Sequence, residues 1–517
     1  MTLLATLVET SQRVAQTPSR LAKIEALAAL LRGLAPEEIA IAVAYLSGDS
    51  GRPRLGIGYA TLGKVREGAA TAAALSLTRV DSLLAELGAL GGKGSAARRD
   101  RLLAQLFGQA TRSEQEFLAR LMAGELRQGA LEGVMQDAVA RAAGVTAAEL
   151  RRAAMYAGDL RAVAAALLGE GPQALARFAL RVLQPVQPML AGSAEDVASA
   201  LSLLGRAALE WKLDGARVQV HKSGTEVRVF SRSLNDVTAA VPELVETVRA
   251  AAATRLILDG EAIALKPDGA PQPFQVTMRR FGRRLDVAQM RQTLPLSVFF
   301  FDCLLRDDAA LVERPAGDRF AALGEVLPPA LLVPRLVTGE VAAAEAFYEE
   351  ALRRGHEGLM AKALDAPYEA GSRGATWLKI KRVRTLDLVV LAAEWGSGRR
   401  RGWLSNLHLG ARDPSSGGFV MLGKTFKGMT DQMLEWQTRE LLARESARDD
   451  HTVHVRPELV VEVAFNDLQA SPHYPGGLAL RFARIKGYRP DKRAADADSI
   501  DTVRAIYQAQ ARGEEPG

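Results

Sequence analysis

Cysteine is nearly missing from this sequence: Cys303 is the single one in 517 residues. One thiol cannot close an intrachain disulfide or build a cysteine-ligated zinc site, and such usage fits a reducing cytoplasm. Long apolar runs are missing as well, and no stretch approaches the roughly 20 residues that a membrane-spanning helix needs. The start, Met1 to Ser11, is moderately apolar but has no basic leader, so it reads as the first helix of a domain and not as a signal peptide. The six histidines show no ligand-like spacing, so none is assigned to a metal, and no tandem repeat is visible. What is present is an ordinary globular balance, 48% hydrophobic and 24% charged, with a net charge of +6. That charge leans modestly towards a polyanionic partner and names no function. At the usual domain size the length predicts roughly three domains.

Texture divides the chain the same way. The first third is rich in Ala, Leu, Arg and Glu, with apolar residues at helical spacing, as in Phe117, Leu118, Leu121 and Met122 followed by Leu126. Glycines Gly124, Gly129 and Gly133 interrupt it in the run GELRQGALEG, which reads locally as helix ends. Leu183 to Pro188 carries two prolines and is expected to be a linker. Beyond it, Arg217 to His221 and Glu226 to Ser231 alternate around a turn at Lys222 to Thr225, a hairpin signal. Strands are expected at Arg255 to Leu258 and Leu296 to Phe301, with helices at Val241 to Ala252 and Val341 to Arg354. After a junction at Arg382 to Thr385 come short strands at Leu386 to Ala393, Asn406 to Gly410, Phe419 to Leu422 and Leu459 to Phe465. One helix, Met429 to Leu442, is expected among them, and the pattern predicts a small β-barrel of the oligonucleotide-binding (OB) type. The end, Gly513 to Gly517, is expected to fray.

A lysine before Asp-Gly, such as Lys212, is ordinarily a surface turn residue. Its partners downstream change the reading. Asp259-Gly260-Glu261 follows an apolar strand, Glu357-Gly358 precedes Lys362, and Trp377 to Lys381 puts Lys379 and Lys381 on one strand face. Carboxylates at strand ends with paired lysines can hold a metal-bound phosphate chain.

In this order the elements resemble the ATP-dependent DNA ligases, members of the covalent nucleotidyltransferases. The K-x-D-G-x-R element is Lys212 to Arg217, followed by FSRSLNDVT (Phe230 to Thr238), LDGEAIA (Leu258 to Ala264), FFFDCL (Phe299 to Leu304), EGLMAK (Glu357 to Lys362), WLKIK (Trp377 to Lys381) and RFARIKGYRPDK (Arg481 to Lys492). The resemblance implies an all-α N-terminal DNA-binding domain over 1–183, an α+β nucleotidyltransferase (adenylation) domain over 184–384 and a C-terminal OB-fold β-barrel over 385–517. It implies that Lys212 attacks the α-phosphate of ATP, that AMP passes to the 5′-phosphate of a nick in duplex DNA, and that the 3′-hydroxyl then seals the backbone. The substrates are ATP and nicked duplex DNA, the metal is Mg2+, and the protein is expected to work as a cytoplasmic monomer.

The resemblance also assigns roles. Glu210 would meet the adenine amino group, Phe301 the adenine face and Arg217 the ribose. Glu261 and Glu357 would face metal or ribose, and Arg232 a phosphate. Lys379 and Lys381 would neutralise the α-phosphate while favouring the neutral amine of Lys212. Arg481 and Arg484, with Lys492, would swing in from the barrel to orient pyrophosphate, with an open arrangement expected in the absence of DNA. The family often has proline where this chain has Ala483. The glycine run at 124–133 sits where the family's DNA-binding domain carries a matching element, which reverses its local reading. Arg279-Arg280, Arg283-Arg284 and Arg399 to Arg401 are expected to grip the DNA backbone. An RNA ligase or another lysine-dependent nucleotidyltransferase is the alternative. The usual NAD-dependent architecture is excluded, since one cysteine cannot make its four-cysteine module.

Overall fold

A computed structural model describes residues 1–50, 57, 62, 68–91, 94–126, 132–281, 286–370, 373–382, 384–397 and 400–512. Up to Glu170 the described chain is helical apart from short connections. The expected first helix runs Leu4–Gln16, and Phe117, Leu118 and Leu121 point inward from the helix Arg112–Met122. That helix starts where Thr111 can cap it: its hydroxyl accepts from Glu114 N at 3.4 Å, and its own N–H donates to the Glu114 carboxylate at 2.8 Å. The buried leucines of these helices form one core, which includes Leu27, Leu84, Leu106 and Val139. Most of the glycine run, 127–131, lies outside the described residues, as do Arg283, Arg284 and Arg399.

Two five-stranded sheets make the middle of the molecule. Their strands are β1 (Leu190–Ser193), β2 (Ala207–Trp211), β3 (Ala216–Ser223), β4 (Glu226–Ser231), β5 (Arg255–Ala264), β6 (Leu296–Arg306), β7 (Ala309–Ala310), β8 (Arg335–Thr338), β9 (Gly358–Ala363) and β10 (Arg373–Lys381). One sheet has the order β1-β10-β9-β2-β8 and the other β4-β3-β5-β6-β7. The β3–β4 hairpin turns two residues later than expected, because Ser223 still pairs with Glu226 and only Gly224-Thr225 remain for the turn. The strands expected at 255–258 and 296–301 continue to Ala264 and Arg306, since their polar motif residues pair across the sheet as regularly as the apolar ones. The two helices are Pro242–Arg249 and Val341–Arg353.

The C-terminal part is strand-rich: β11 (Arg384–Trp395), β12 (Leu404–Arg412), β13 (Phe419–Thr425), β14 (Glu445–Arg448), β15 (Thr452–Val455), β16 (Val460–Phe465), β17 (Asp467–Ala470), β18 (Leu478–Arg481) and β19 (Arg484–Tyr488). Long β11 pairs β12 on one edge and both β15 and β16 on the other; among the described residues the pairings do not close into a ring. The expected helix is there as Asp431–Ala443, and a second one, Ile500–Arg512, was not foreseen. Both bury apolar residues in the same core as the strands, Leu434 and Leu441 from the first and Val503 from the second.

Candidate active site

The K-x-D-G-x-R element is the crossover between the two central sheets. Lys212 immediately follows β2 of the first sheet, and Arg217 lies at the start of β3 in the second. Between them Gly215 passes so close to β5 that a Cβ there would stand 2.4 Å from the Ala262 carbonyl oxygen. The β2–β9 ladder runs on into the motif: Lys212 N donates to the Gly358 carbonyl at 2.8 Å, and Glu357 N donates to the Lys212 carbonyl at 3.0 Å. That register sets the Lys212 Nζ 2.5 Å from Glu357 Oε2. Lys381, paired in register with Gly358, places its Nζ 2.6 Å from Glu357 Oε1. Lys379 lines the same cavity, as expected.

The charge state of the lysine differs from expectation. Burial alone would lower its pKa, but the Glu357 carboxylate, backed by Glu261 and Asp214, outweighs burial and raises it. Lys381 does not make the amine neutral here, because its own charge is engaged on the other oxygen of Glu357. Burial would raise Glu357, yet Lys212 and Lys381 together bring it down. Asp214 is pushed up to about 6 by burial and the Glu357 charge. Glu261, cross-strand from Arg217, is pushed up to about 7 by burial against the pull of Lys212 and Arg217.

Phe301 and Glu210, expected to meet the adenine, both line the cavity. Phe301 faces it from β6 while neighbouring Phe300 points into the core behind the sheet. Glu210 lines it too, but with both oxygens already engaged. Oε1 accepts from Arg335 Nε at 2.8 Å and Nη2 at 2.6 Å, and Oε2 lies 2.6 Å from the buried Lys362 ammonium. Lys362 Nζ sits 4.4 Å from the Phe301 ring centroid and 4.2 Å from that of Trp377, and burial lowers its pKa despite Glu210. Arg335 was missed by the sequence reading, and Lys362 and Trp377 were noted only as parts of motifs. Arg217 is clamped by Asp259, whose Oδ1 and Oδ2 accept from Nε at 3.0 Å and Nη2 at 2.6 Å. The Asp259 charge outweighs burial and raises the guanidinium pKa further.

Of the C-terminal basic residues, Arg481 meets a residue of the cavity wall while itself lining the neighbouring cleft, and two others do not come near. Arg481 Nη1 lies 3.7 Å from Asp214 Oδ2, between the Phe274 and Phe482 rings, and Phe482 itself lines the cavity. The arrangement is therefore not the open one expected: opposite charges of Arg481 and Asp214 meet across the junction, and Gln275 Nε2 donates to Gln469 Oε1 at 3.3 Å. Arg484 is exposed on β19, and Lys492 pairs with Asp387; neither is among the residues lining the cavity. The Ala483 carbonyl accepts the Thr425 hydroxyl at 2.6 Å, which fixes the loop without a proline. Arg232 is exposed at the cavity rim. Of the expected DNA-gripping arginines, Arg280 is instead buried and paired with Glu243 at 2.6 Å, so it holds the fold; Arg279 faces a neighbouring cleft.

The cavity measures about 1460 Å³, ample for a nucleotide with its phosphate chain. Magnesium takes hard oxygen donors, commonly one or two carboxylates with the rest from substrate phosphates and water. Glu261 and Glu357 fit that demand, and a carboxyl raised to about 7 is one that a cation would help to ionise. Among the described residues no group of three or more His, Cys, Asp and Glu could hold a metal ion.

Comparisons with known proteins cover the whole chain. Family models match it in three parts: DNA ligase N terminus over residues 64–140, ATP dependent DNA ligase domain over 188–381 and ATP dependent DNA ligase C terminal region over 400–492. A protein of Anaeromyxobacter sp. (strain Fw109-5) named Probable DNA ligase is 62% identical over 514 residues, 99% of each chain. One of the same name from Mycobacterium sp. (strain KMS) is 56% identical over 522 residues, covering 98% of this chain and 99% of its own. The solved structure named Pmar-Lig_PreS3 shares the fold, with a TM-score of 0.61 at 19% identity over 93% of this chain and 99% of that one.

Proposed function

The chain belongs to the family of ATP-dependent DNA ligases, and from that premise we propose that Lys212 is the residue that carries AMP from ATP to a nick in duplex DNA. The observation that carries this reading is the trio of Lys212, Glu357 and Lys381, with both oxygens of one carboxylate holding one lysine each. Lys212 Nζ attacks the α-phosphorus, a phosphoramide bond forms, and the bond to the bridging oxygen breaks with loss of pyrophosphate. The amine must first lose its proton to solvent, and for that the contact with Glu357 Oε2 at 2.5 Å, which favours the ammonium, has to loosen as the triphosphate binds. Lys379 and Lys381 face the α-phosphate. Glu261 and Glu357 would hold magnesium, which would supply charge neutralisation for the triphosphate. Glu210 and Phe301 bound the base, Arg217 meets the ribose, Arg232 meets a phosphate, and Arg481 steers pyrophosphate.

AMP then moves to the 5′-phosphate, and the 3′-hydroxyl displaces it to seal the strand. The division of labour follows 1–183 for grip on DNA, 184–384 for adenylation and 385–517 for closure. No helix of the described residues is long and apolar enough to cross a membrane. We take the working form to be a monomer in the cytoplasm. The test is incubation with magnesium and ATP labelled at the α-phosphate. Label fixed to the wild type and absent from Lys212→Ala is expected; equal label on both sinks the assignment. Nicked DNA against nicked RNA then separates the polymer substrates.

A further inference from the structure

Tyr368 lies between the motifs EGLMAK and WLKIK and belongs to neither, yet its hydroxyl is used to capacity. A phenol offers one donor and can accept two hydrogen bonds. Here it donates to Asp259 Oδ2 at 2.7 Å and accepts from Arg217 Nη2 at 3.1 Å and from Met189 N at 3.0 Å. The ring is 2% exposed and is held from several sides. Tyr368 N donates to the Val312 carbonyl at 2.8 Å, and Arg319 grips the preceding Ala366 carbonyl at 3.0 Å while bound to Asp302. The ring meets Trp377 edge-on at 5.8 Å, and Trp377 meets Phe301 edge-on at 6.1 Å.

The consequence falls on Arg217. A guanidinium has five N–H bonds. Nε donates to Asp259, Nη2 to Asp259 and Tyr368, and Nη1 to the Met189 carbonyl at 2.6 Å, so among the described residues one N–H of Nη1 is left for a ligand. The group also stacks over Phe301 at 5.5 Å and Trp377 at 5.8 Å, on the cavity wall. A carboxylate alone can hold a guanidinium and still let the fork tilt in its plane. Tyr368 and Met189 occupy the two remaining sides and remove that freedom.

We propose that Tyr368 is a positioning residue for nucleotide binding, whose hydroxyl fixes the orientation of Arg217 so that its last N–H meets a sugar hydroxyl of ATP. This rests on the reading of Arg217 as a nucleotide contact. Tyr368→Phe keeps the ring and deletes only the hydroxyl. In full-length enzyme, formation of the lysyl adduct should then show a KM for ATP raised about tenfold with kcat within about twofold, the size of one misdirected hydrogen bond to a charged group. Arg217→Lys should raise KM at least as much, and the double variant no further than Arg217→Lys alone, because both act on one contact. KM does not depend on the active fraction, so partial misfolding of Tyr368→Phe leaves the comparison readable. Unchanged KM in Tyr368→Phe, or effects that multiply in the double variant, overturns the proposal. Unchanged KM in Arg217→Lys overturns the reading of Arg217 itself, and this proposal with it.

Discussion

Lys362 is a residue whose chemistry depends on its surroundings. Its ammonium is buried with the Glu210 carboxylate 2.6 Å away and two aromatic rings beside it. Breaking a buried ion pair from one side costs about 3–5 kcal/mol, because the other charge stays in a poorly solvating place. Lys362→Met should therefore lower stability towards the upper end of single-residue effects, read as a drop in the urea midpoint at constant slope. Glu210→Gln combined with it should recover part of the loss. A drop below about 1 kcal/mol would mean that Arg335 alone satisfies Glu210. Sequence motifs identify such groups by type and order, and most expected cavity residues do converge. The charge of Lys212 was not legible, because it depends on which neighbour comes closest; the expected lysines are near, but the carboxylate between them is nearer.

Elements turn these contacts into constraints on backbone. Gly358 opens β9 with φ +137°, and a Cβ there would lie 2.2 Å from the Ile380 carbonyl oxygen on β10. Gly358→Ala must push the two strands apart at the point where Glu357 and Lys381 meet. Strain of about 1–3 kcal/mol is expected, with lysyl-adduct formation reduced about tenfold or more in the labelled-ATP assay. Unimpaired labelling would show that the ladder tolerates displacement. The linker is a second case, for its prolines predicted a connecting stretch between domains and the structure has it fastened to the sheet. Leu183 N donates to His221 Nδ1 at 3.0 Å, so the ring proton sits on Nε2, 2.8 Å from Gln219 Oε1, and Gln219 Oε1 also accepts from Val186 N at 2.8 Å. Burial lowers His221 to about 3, against about 6.5 in an unfolded chain. Its contribution to stability is full above pH of about 6.5 and lost as pH falls towards the folded value, since the unfolded chain then binds the extra proton. The wild-type Tm should fall between pH 6.5 and 4, and His221→Gln should show a shallower fall; parallel slopes would refute the assignment. No periodicity in the sequence announces this contact, because the partners are 38 positions apart.

For the molecule as a whole, the open question at the sequence level was how the C-terminal strands sit against the nucleotide site. The order of motifs forecasts that the RFARIK segment visits it, and Arg481 does, but neither pattern nor spacing tells which visitor remains when no ligand is bound. The contacts across that face include one long ion pair, Arg481 to Asp214 at 3.7 Å, and one amide hydrogen bond at 3.3 Å. Such partly solvated contacts contribute about 1 kcal/mol or less each, so leaving this closed arrangement to admit DNA costs little there. Arg481 can then serve the nucleotide while closed and be withdrawn when the duplex enters, which separates its effect by step. Arg481→Ala should slow lysyl-adduct formation by about tenfold to a hundredfold, the range for one lost charge-assisted contact. Sealing of a nick that already carries 5′-linked AMP should stay within about threefold of wild type, since that contact is not then in use. Equal losses in the two assays would mean that Arg481 stays at the active site throughout and that the closed form, not an opened one, handles DNA.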